Sequence, residues 1–227
     1  MRLIGRIASA MLVIAVLAPG ASAGEAGDAA AQTIERLGER AIAVLQDDEL
    51  SAGQQNARLR AILRQGLDLE AIGSFVLGRH GRQAGAEQRR TFQRLFADYV
   101  VDTYAQMLRR RQVTQFEVTE SETRDDSTAL VATRVSEPGQ GPMTWQWVLH
   151  REEGSWRVVD LRTQGVSLAV TYRSEFGAVI DSQGMDALIE RLRRRAQRSP
   201  DLDRRLAIAP MLGKMLEEQG LHSLRMR

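Results

Sequence analysis

The first half of the chain places apolar residues at the spacing of amphipathic helices. Three short helices are predicted, with the following apolar positions in chain order: Ile34, Leu37, Ala41, Val44 and Leu45; Leu59, Ile62 and Leu63; Ile72, Phe75 and Val76. Asp68 precedes the third helix, and its carboxylate is suited to accept the N–H groups that a first turn leaves unpaired. Gly78 and Gly81 mark the end of this helix.

A much longer helix is predicted from about residue 86 to residue 110. Its apolar side carries Phe92, Leu95, Phe96, Tyr99, Val100, Thr103, Tyr104, Met107 and Leu108. At 1.5 Å per residue such a helix is about 36 Å long, which is enough to cross a small domain. We therefore expect this helix to form one wall of the fold.

Beyond this helix the apolar period changes to two, which is typical of strands. The alternating runs cover residues 116–120, 129–135, 143–149 and 156–163. Because the connections between them are short, the runs predict an antiparallel meander of about four strands. The third run presents an unusually large apolar row, formed by Met143, Trp145, Trp147 and Leu149.

The last predicted strand passes directly into another helix. Gly165 breaks the strand pattern, and Leu168 and Tyr172 then follow at helical spacing. Ser167 is placed to cap this helix with its hydroxyl group. A final helix begins after Gly184. The sequence of elements predicts an α+β fold in which an antiparallel sheet packs against several helices.

The N-terminus has the composition of a secretory signal. Arg2 and Arg6 precede an apolar stretch at 7–18 that is too short to span a bilayer, and Ala-Ser-Ala follows at 21–23. This pattern predicts a signal peptide over residues 1–23 and a mature chain that begins at Gly24. The first mature residues, 24–31, are small and polar and are expected to form a mobile leader.

The charge of the mature chain does not indicate nucleic-acid binding. Two of the 31 basic residues, Arg2 and Arg6, leave with the signal peptide, and the remaining 29 balance the 29 acidic residues. The basic isoelectric point of the whole chain is therefore no evidence for a nucleic-acid partner. The chain contains no cysteine, which excludes disulfide bonds and thiol chemistry.

Candidate catalytic groups are sparse, and we expect neither an enzyme nor a cofactor site. The nearest approach to a triad is Ser167 with Asp160 and either His80 or His150, but the chain has no G-x-S-x-G elbow. Asp160 is instead interpreted as a strand-end residue that accepts hydrogen bonds from backbone or arginine. The two histidines are interpreted as ordinary surface or turn residues, and the three histidines of the chain are too scattered for a metal site.

Several motifs resemble those of a known family. The segment at 160–176 reads D-x-x-x-x-G-V-S-L-x-x-x-Y-R-S-x-F, and L-G-R-H-G-R, E-Q-R-R-T-F, D-T-Y-A and Q-G-M-D-A-L-I begin at residues 77, 87, 102 and 183. Their order and spacing resemble the MlaC, or toluene-tolerance, family of periplasmic phospholipid-binding proteins over roughly residues 30 to 196. Thr171, His80 and Gly81 depart from the family pattern, which has Asn, Tyr and Trp there.

The resemblance changes the interpretation of the apolar stripes. From pattern alone, a packed core is favoured over a cavity. The resemblance implies that residues 24–198 form a lipid-binding domain whose helices and curved sheet leave an elongated apolar cavity for acyl chains. The candidate lipid-binding residues are Ile72, Phe75, Val76, Phe92, Leu95, Phe96, Tyr99, Val100, Tyr104, Trp147, Leu149, Val166, Leu168 and Tyr172.

The resemblance also implies a function and partners. It implies a carrier that moves phospholipid across the periplasm between an inner-membrane lipid ABC transporter complex and an outer-membrane lipoprotein complex. The alternatives are a hopanoid or polyisoprenoid carrier of the same family, a secreted enzyme on a similar α+β fold, and a ligand-free adaptor.

Two features near the C-terminus lie beyond these motifs or at their edge. The three arginines at 193–195 are interpreted as a solvated helix face, with docking to an acidic partner or membrane as the alternative. Residues 199–227 begin with Ser-Pro, a favourable helix start, and contain Pro210. They are predicted to form a helical extension.

Overall fold

The computed structural model describes residues 23–197, except residues 112 and 140. Within them the helices are α1 Ala23–Leu45, α2 Ala52–Gly66, α3 Leu69–Leu77, α4 Arg79–Gln83, α5 Ala86–Arg111, α6 Leu168–Gln183 and α7 Met185–Gln197. The strands are β1 Gln115–Asp125, β2 Thr128–Ser136, β3 Met143–Glu152, β4 Ser155–Thr163 and β5 Val166–Ser167. In this part of the chain, no helix has both the length and the apolar run that crossing a membrane requires.

The predicted terminal segments fall largely outside this range. Only the last residue of the predicted signal peptide, Ala23, is among the described residues, and the predicted extension at 199–227 is not.

The strands form one antiparallel sheet in the order β1-β2-β3-β4-β5. This arrangement confirms the predicted meander and the α+β class, and the two-residue strand β5 adds a short fifth strand at the β4 edge. The pairing register shifts in β1 after Val118 and after Thr123, and it shifts in β4 at Val159, which has no partner opposite it in β3. Such irregularities increase strand twist and bend the sheet, which gives it the curvature expected from the family resemblance.

Two helix starts are fixed by the side chains that the sequence indicated. Asp68 accepts a hydrogen bond from the Ala71 backbone N–H at 2.9 Å, and Ser167 accepts one from the Val170 N–H at 3.0 Å. Both predictions of an N-cap are confirmed. Gly165, in the turn between β4 and β5, has a φ of 80°, a conformation that glycine adopts without steric cost.

The helices α3, α5, α6 and α7 form a core among themselves. The rings of Phe92 and Phe96 on α5 stack with centroids 5.3 Å apart, and both side chains are 0% exposed. Phe176 on α6 meets both rings edge-on at 6.4 and 6.1 Å. Leu188 and Leu192 of α7 complete this core. The four helices therefore bury their aromatic side chains largely without help from the sheet.

A second core lies between α1 and the sheet, and it corrects the prediction of a mobile leader. Residues 24–31 belong to α1, and Ala30 is 0% exposed against the sheet. The Ser121 hydroxyl of β1 donates to the Gly27 carbonyl oxygen at 2.8 Å. Small residues gave this segment the composition of a leader, but alanine is also the strongest helix former, and a small side chain lets the helix lie close to a sheet.

The close approach of α1 to the sheet leads to a prediction about stability. A Cβ added at Gly38 would overlap the Phe116 ring, which is itself packed against Trp147 with centroids 6.1 Å apart. We expect Gly38→Ala to lower the free energy of unfolding by about 1–3 kcal/mol, because overpacking outweighs the gain in helix propensity.

Gly53 of α2 is the matched control, because a Cβ there meets nothing within 4 Å. Gly53→Ala is expected to raise the free energy of unfolding by about 0.4–1 kcal/mol. Urea denaturation of both variants checks this pair. Equal effects of the same sign would contradict the packing account of Gly38.

Candidate functional site

An apolar cavity lies between the helices and the sheet, and it has two compartments. The first, here called the α6 chamber, is bounded by α3, α5, α6 and strands β3 and β4, and encloses about 590 Å³ including the space open to solvent. Six of the predicted lipid-binding residues line it: Ile72, Val100, Tyr104, Trp147, Leu168 and Tyr172.

The second compartment, here called the α1 chamber, lies between α1, α2 and the sheet and encloses about 650 Å³ on the same measure. It was not predicted. Six residues line both chambers, namely Leu63, Leu67, Leu108, Trp145, Trp147 and Val158. The chambers are therefore neighbours that share a wall of apolar side chains.

The shared wall contains two indole rings that are held in place by their neighbours. Trp145 and Trp147 lie on β3 two residues apart, and their ring centroids are 5.8 Å apart. The Trp147 Nε1–H donates to the Thr133 hydroxyl at 2.9 Å, and Thr133 is fully buried on β2. Because this bond satisfies the polar group of the indole, the rest of the ring can face an apolar cavity without an unpaired donor.

The lining of the α6 chamber includes two tyrosine hydroxyl groups and the carboxylate of Asp160. The hydroxyl groups of Tyr104 and Tyr172 are 3.3 Å apart. Burial raises the pKa of both hydroxyl groups well above the ordinary value, so both stay protonated at neutral pH. Asp160 accepts hydrogen bonds from the Ala169 N–H at 3.0 Å and from Arg162 Nε at 3.4 Å, which confirms the interpretation of this aspartate.

The structure places the other eight candidate residues away from both chambers. Val76, Phe92, Leu95, Phe96 and Tyr99 lie in the helical core, and Leu149 lies between the sheet and α1. Phe75 is 43% exposed under the Arg173 guanidinium, and Val166 lies in the edge strand β5. The role of these eight residues in lipid binding stays a prediction. The side of α5 that carries Phe92 and Phe96 packs on other helices.

Sequence reasoning also missed residues that do line the chambers. Leu63 and Leu67 come from the end of α2 and the loop that follows it, and Met107 lies on α5 beyond the predicted aromatic wall. Trp145 lies in the same alternating apolar row of β3 as Trp147. That row is the sequence signal that could have placed Trp145 among the candidate lipid-binding residues. Helical periodicity identified Leu63 and Met107 as buried but did not indicate what they are buried against.

No serine-histidine-aspartate arrangement is formed by the groups considered above. His80 lies with its Nε2 atom 3.7 Å from Asp181 Oδ1 on α6, whereas the Ser167 hydroxyl caps α6. The interpretation of His80 as a surface residue is wrong, since the residue is 8% exposed and its side chain is turned toward α6. His150 is exposed on β3, as expected.

The arginine run near the end of α7 divides into two kinds of residue. Arg193 and Arg194 are exposed and form ion pairs with Glu190 at 3.0 and 3.5 Å. Arg195 turns inward, where its Nη1 atom donates to the Tyr99 hydroxyl at 2.8 Å and its guanidinium lies 5.2 Å from the centre of the same ring. The predicted solvated face therefore describes the first two arginines and is wrong for the third.

The fold and the cavity define an α+β protein in which helices and a curved antiparallel sheet enclose an apolar interior. The family model described as MlaC protein matches residues 35–194, and the chain belongs to the MlaC family. The resemblance seen in the sequence motifs is thereby confirmed.

Two relatives illustrate the likeness. The chain is 25% identical over 171 residues to the Intermembrane phospholipid transport system binding protein MlaC of Haemophilus influenzae, covering 72% of this chain and 80% of that protein. It also matches the structure of the phospholipid-binding protein from Ralstonia solanacearum in complex with a phospholipid. That match has a TM-score of 0.64 and 23% identity, and covers 74% of this chain and 97% of the other. This second likeness supports the fold.

The division between core and chamber leads to a second prediction. Val76 and Val100 are both buried in the helical core, but Val100 also lines the α6 chamber, whereas Val76 lines neither chamber. A tryptophan at position 76 has no free volume and is expected to lower the free energy of unfolding by about 1–3 kcal/mol or more. The same change at position 100 directs the indole into the chamber and is expected to cost less.

Thermal and urea denaturation of Val76→Trp and Val100→Trp, both extracted with organic solvent, measure this difference. Extraction matters because any ligand bound only to the native state raises apparent stability. An equal loss of stability in the two variants would contradict the assignment of Val100 to the chamber wall.

Proposed function

We propose that the protein is a phospholipid carrier that holds acyl chains in the two apolar chambers. The observation that carries this proposal is the pair of adjoining chambers, whose shared wall consists of apolar side chains including two indole rings. Each methylene group of an acyl chain that leaves water for such a surface contributes about 0.8 kcal/mol. An acyl chain therefore supplies enough free energy for binding without a cofactor or a catalytic group.

The relatives support a role in lipid transport between membranes. The Haemophilus influenzae relative is named as the binding protein of an intermembrane phospholipid transport system, and the Ralstonia solanacearum relative was solved with a phospholipid. We extend this role to the present chain as a carrier in the periplasm. Its partners would be an inner-membrane lipid ABC transporter complex and an outer-membrane lipoprotein complex, and the protein would act by binding and release instead of catalysis.

Lipid occupancy tests the proposal directly. Protein purified from the periplasm is expected to contain phospholipid that mass spectrometry detects after organic extraction. Val100→Trp is expected to lower the amount of lipid per protein severalfold, because the indole occupies volume in the α6 chamber. Phe75→Ala is the matched control, since Phe75 is exposed and lines neither chamber.

Three outcomes of this experiment separate the possibilities. Occupancy lowered in Val100→Trp and retained in Phe75→Ala supports binding in the chamber. Wild-type protein that contains no lipid and takes none up from vesicles would refute the carrier. Extraction of a polycyclic or polyisoprenoid lipid in place of phospholipid would refute the proposed ligand class while retaining a carrier.

Export is tested separately from lipid binding. Cleavage after the Ala-Ser-Ala sequence at 21–23 is expected to give a mature chain that begins at Gly24. N-terminal sequencing of protein from the periplasmic fraction checks this expectation. Recovery of the chain with Met1 retained in the membrane fraction would contradict a cleaved signal peptide.

A further inference from the structure

A chain of polar side chains runs from α7 through the helical core to the α6 chamber. It begins at Arg195, whose Nη1 atom donates to the Tyr99 hydroxyl oxygen at 2.8 Å. The Tyr99 and Tyr172 rings pack edge-on with centroids 5.9 Å apart, and the Tyr172 hydroxyl forms a hydrogen bond with the Tyr104 hydroxyl at 3.3 Å. Tyr172 and Tyr104 line the chamber, so the chain ends inside an otherwise apolar cavity.

The two hydroxyl groups at the chamber end carry one proton more than their mutual hydrogen bond uses. A tyrosine hydroxyl has a single proton, and either Tyr104 or Tyr172 can be the donor of the bond between them. At the other end, Tyr99 accepts from Arg195, since a guanidinium group only donates. When Tyr172 donates to Tyr104, the Tyr104 proton is left over.

The leftover proton has no partner among the protein groups that the structure describes. Within residues 23–197, the hydrogen bonds of the Tyr104 hydroxyl are confined to its contact with Tyr172. An unpaired donor in an apolar cavity costs free energy, since water that could satisfy it is displaced when an apolar ligand enters. A ligand that brings an acceptor oxygen to this point removes that cost.

We infer that the Tyr104 hydroxyl donates a hydrogen bond to an ester carbonyl oxygen of the bound lipid and thereby selects ester-linked lipids. This inference rests on the proposed function. The Asp160 carboxylate lines the same chamber and is close enough to act on Tyr104. It would therefore repel an anionic acceptor, such as a phosphate oxygen, at this position. The carbonyl oxygen is a neutral acceptor and lies next to the acyl chains, where the apolar wall would hold it.

The selectivity follows from the penalty for a missing partner. A site built to donate a hydrogen bond discriminates against an analogue that lacks the acceptor, because the buried donor is then left unpaired. A diether phospholipid has two hydrogens in place of each carbonyl oxygen and keeps the chains and head group unchanged. We therefore expect Tyr104 to be a specificity-determining residue, in addition to being part of the apolar wall.

A competition experiment with two lipids tests this inference. Delipidated full-length protein is mixed with vesicles that contain equal amounts of diester and diether phosphatidylglycerol with the same chains, and the bound lipids are extracted and quantified by mass spectrometry. Wild-type protein is expected to prefer the diester by about two- to tenfold. Tyr104→Phe is expected to bring the ratio to about one without reducing the amount of diether lipid bound.

Tyr99→Phe is the matched control, because it removes the same atom from a buried tyrosine that lies outside the chamber. The ester preference should persist in this variant and fall by less than in Tyr104→Phe. A wild-type ratio of one, or an unchanged ratio in Tyr104→Phe, would overturn the inference while leaving the carrier intact. Absence of both lipids from the wild-type protein would instead count against the proposed function.

Discussion

The separation of the helical core from the sheet is the constraint on which the rest of the structure depends. The stacked rings of Phe92 and Phe96, with Phe176 across them, allow α3, α5, α6 and α7 to bury their aromatic residues against one another. Because these helices already have a core, α5 has no need to lie flat on the sheet. It approaches the sheet near its C-terminal end, where Met107 and Leu108 pack near Trp145. The space left between the two layers is the cavity.

This arrangement explains which features of the fold were predictable from the sequence. Caps and periods depend on residues close together in the chain, so Asp68, Ser167 and the meander could be recognised from local patterns. The partner of an apolar side depends on tertiary packing. Leu95 and Val100 lie on the same predicted apolar side of one helix and both pack in the helical core, yet only Val100 also reaches a chamber wall.

The residues that line the cavity were also only partly predictable from the sequence. A helical stripe indicates burial, and burial in a core and burial around a cavity place the same demand on residue type. The family resemblance was needed to expect a cavity at all, and it did not indicate the α1 chamber. The inward orientation of Arg195 was missed for a similar reason. A run of three arginines is typical of a solvated helix face, but Arg195 binds the hydroxyl group of Tyr99, which lies 96 positions earlier in the chain.

The docking of α1 has a consequence for the order in which the chain folds. The first helix is joined to β1 by a hydrogen bond between Gly27 and Ser121, 94 positions apart, whereas the strands of the meander meet their neighbours across short turns. Contacts between distant positions form slowly, since a long loop must close before they contribute. The sheet can thus assemble while its apolar face, including Val131 and Leu149, still lacks the cover that α1 provides. A newly made chain would pass through a stage with that face open to other proteins, and a chaperone that shields it would act during this interval.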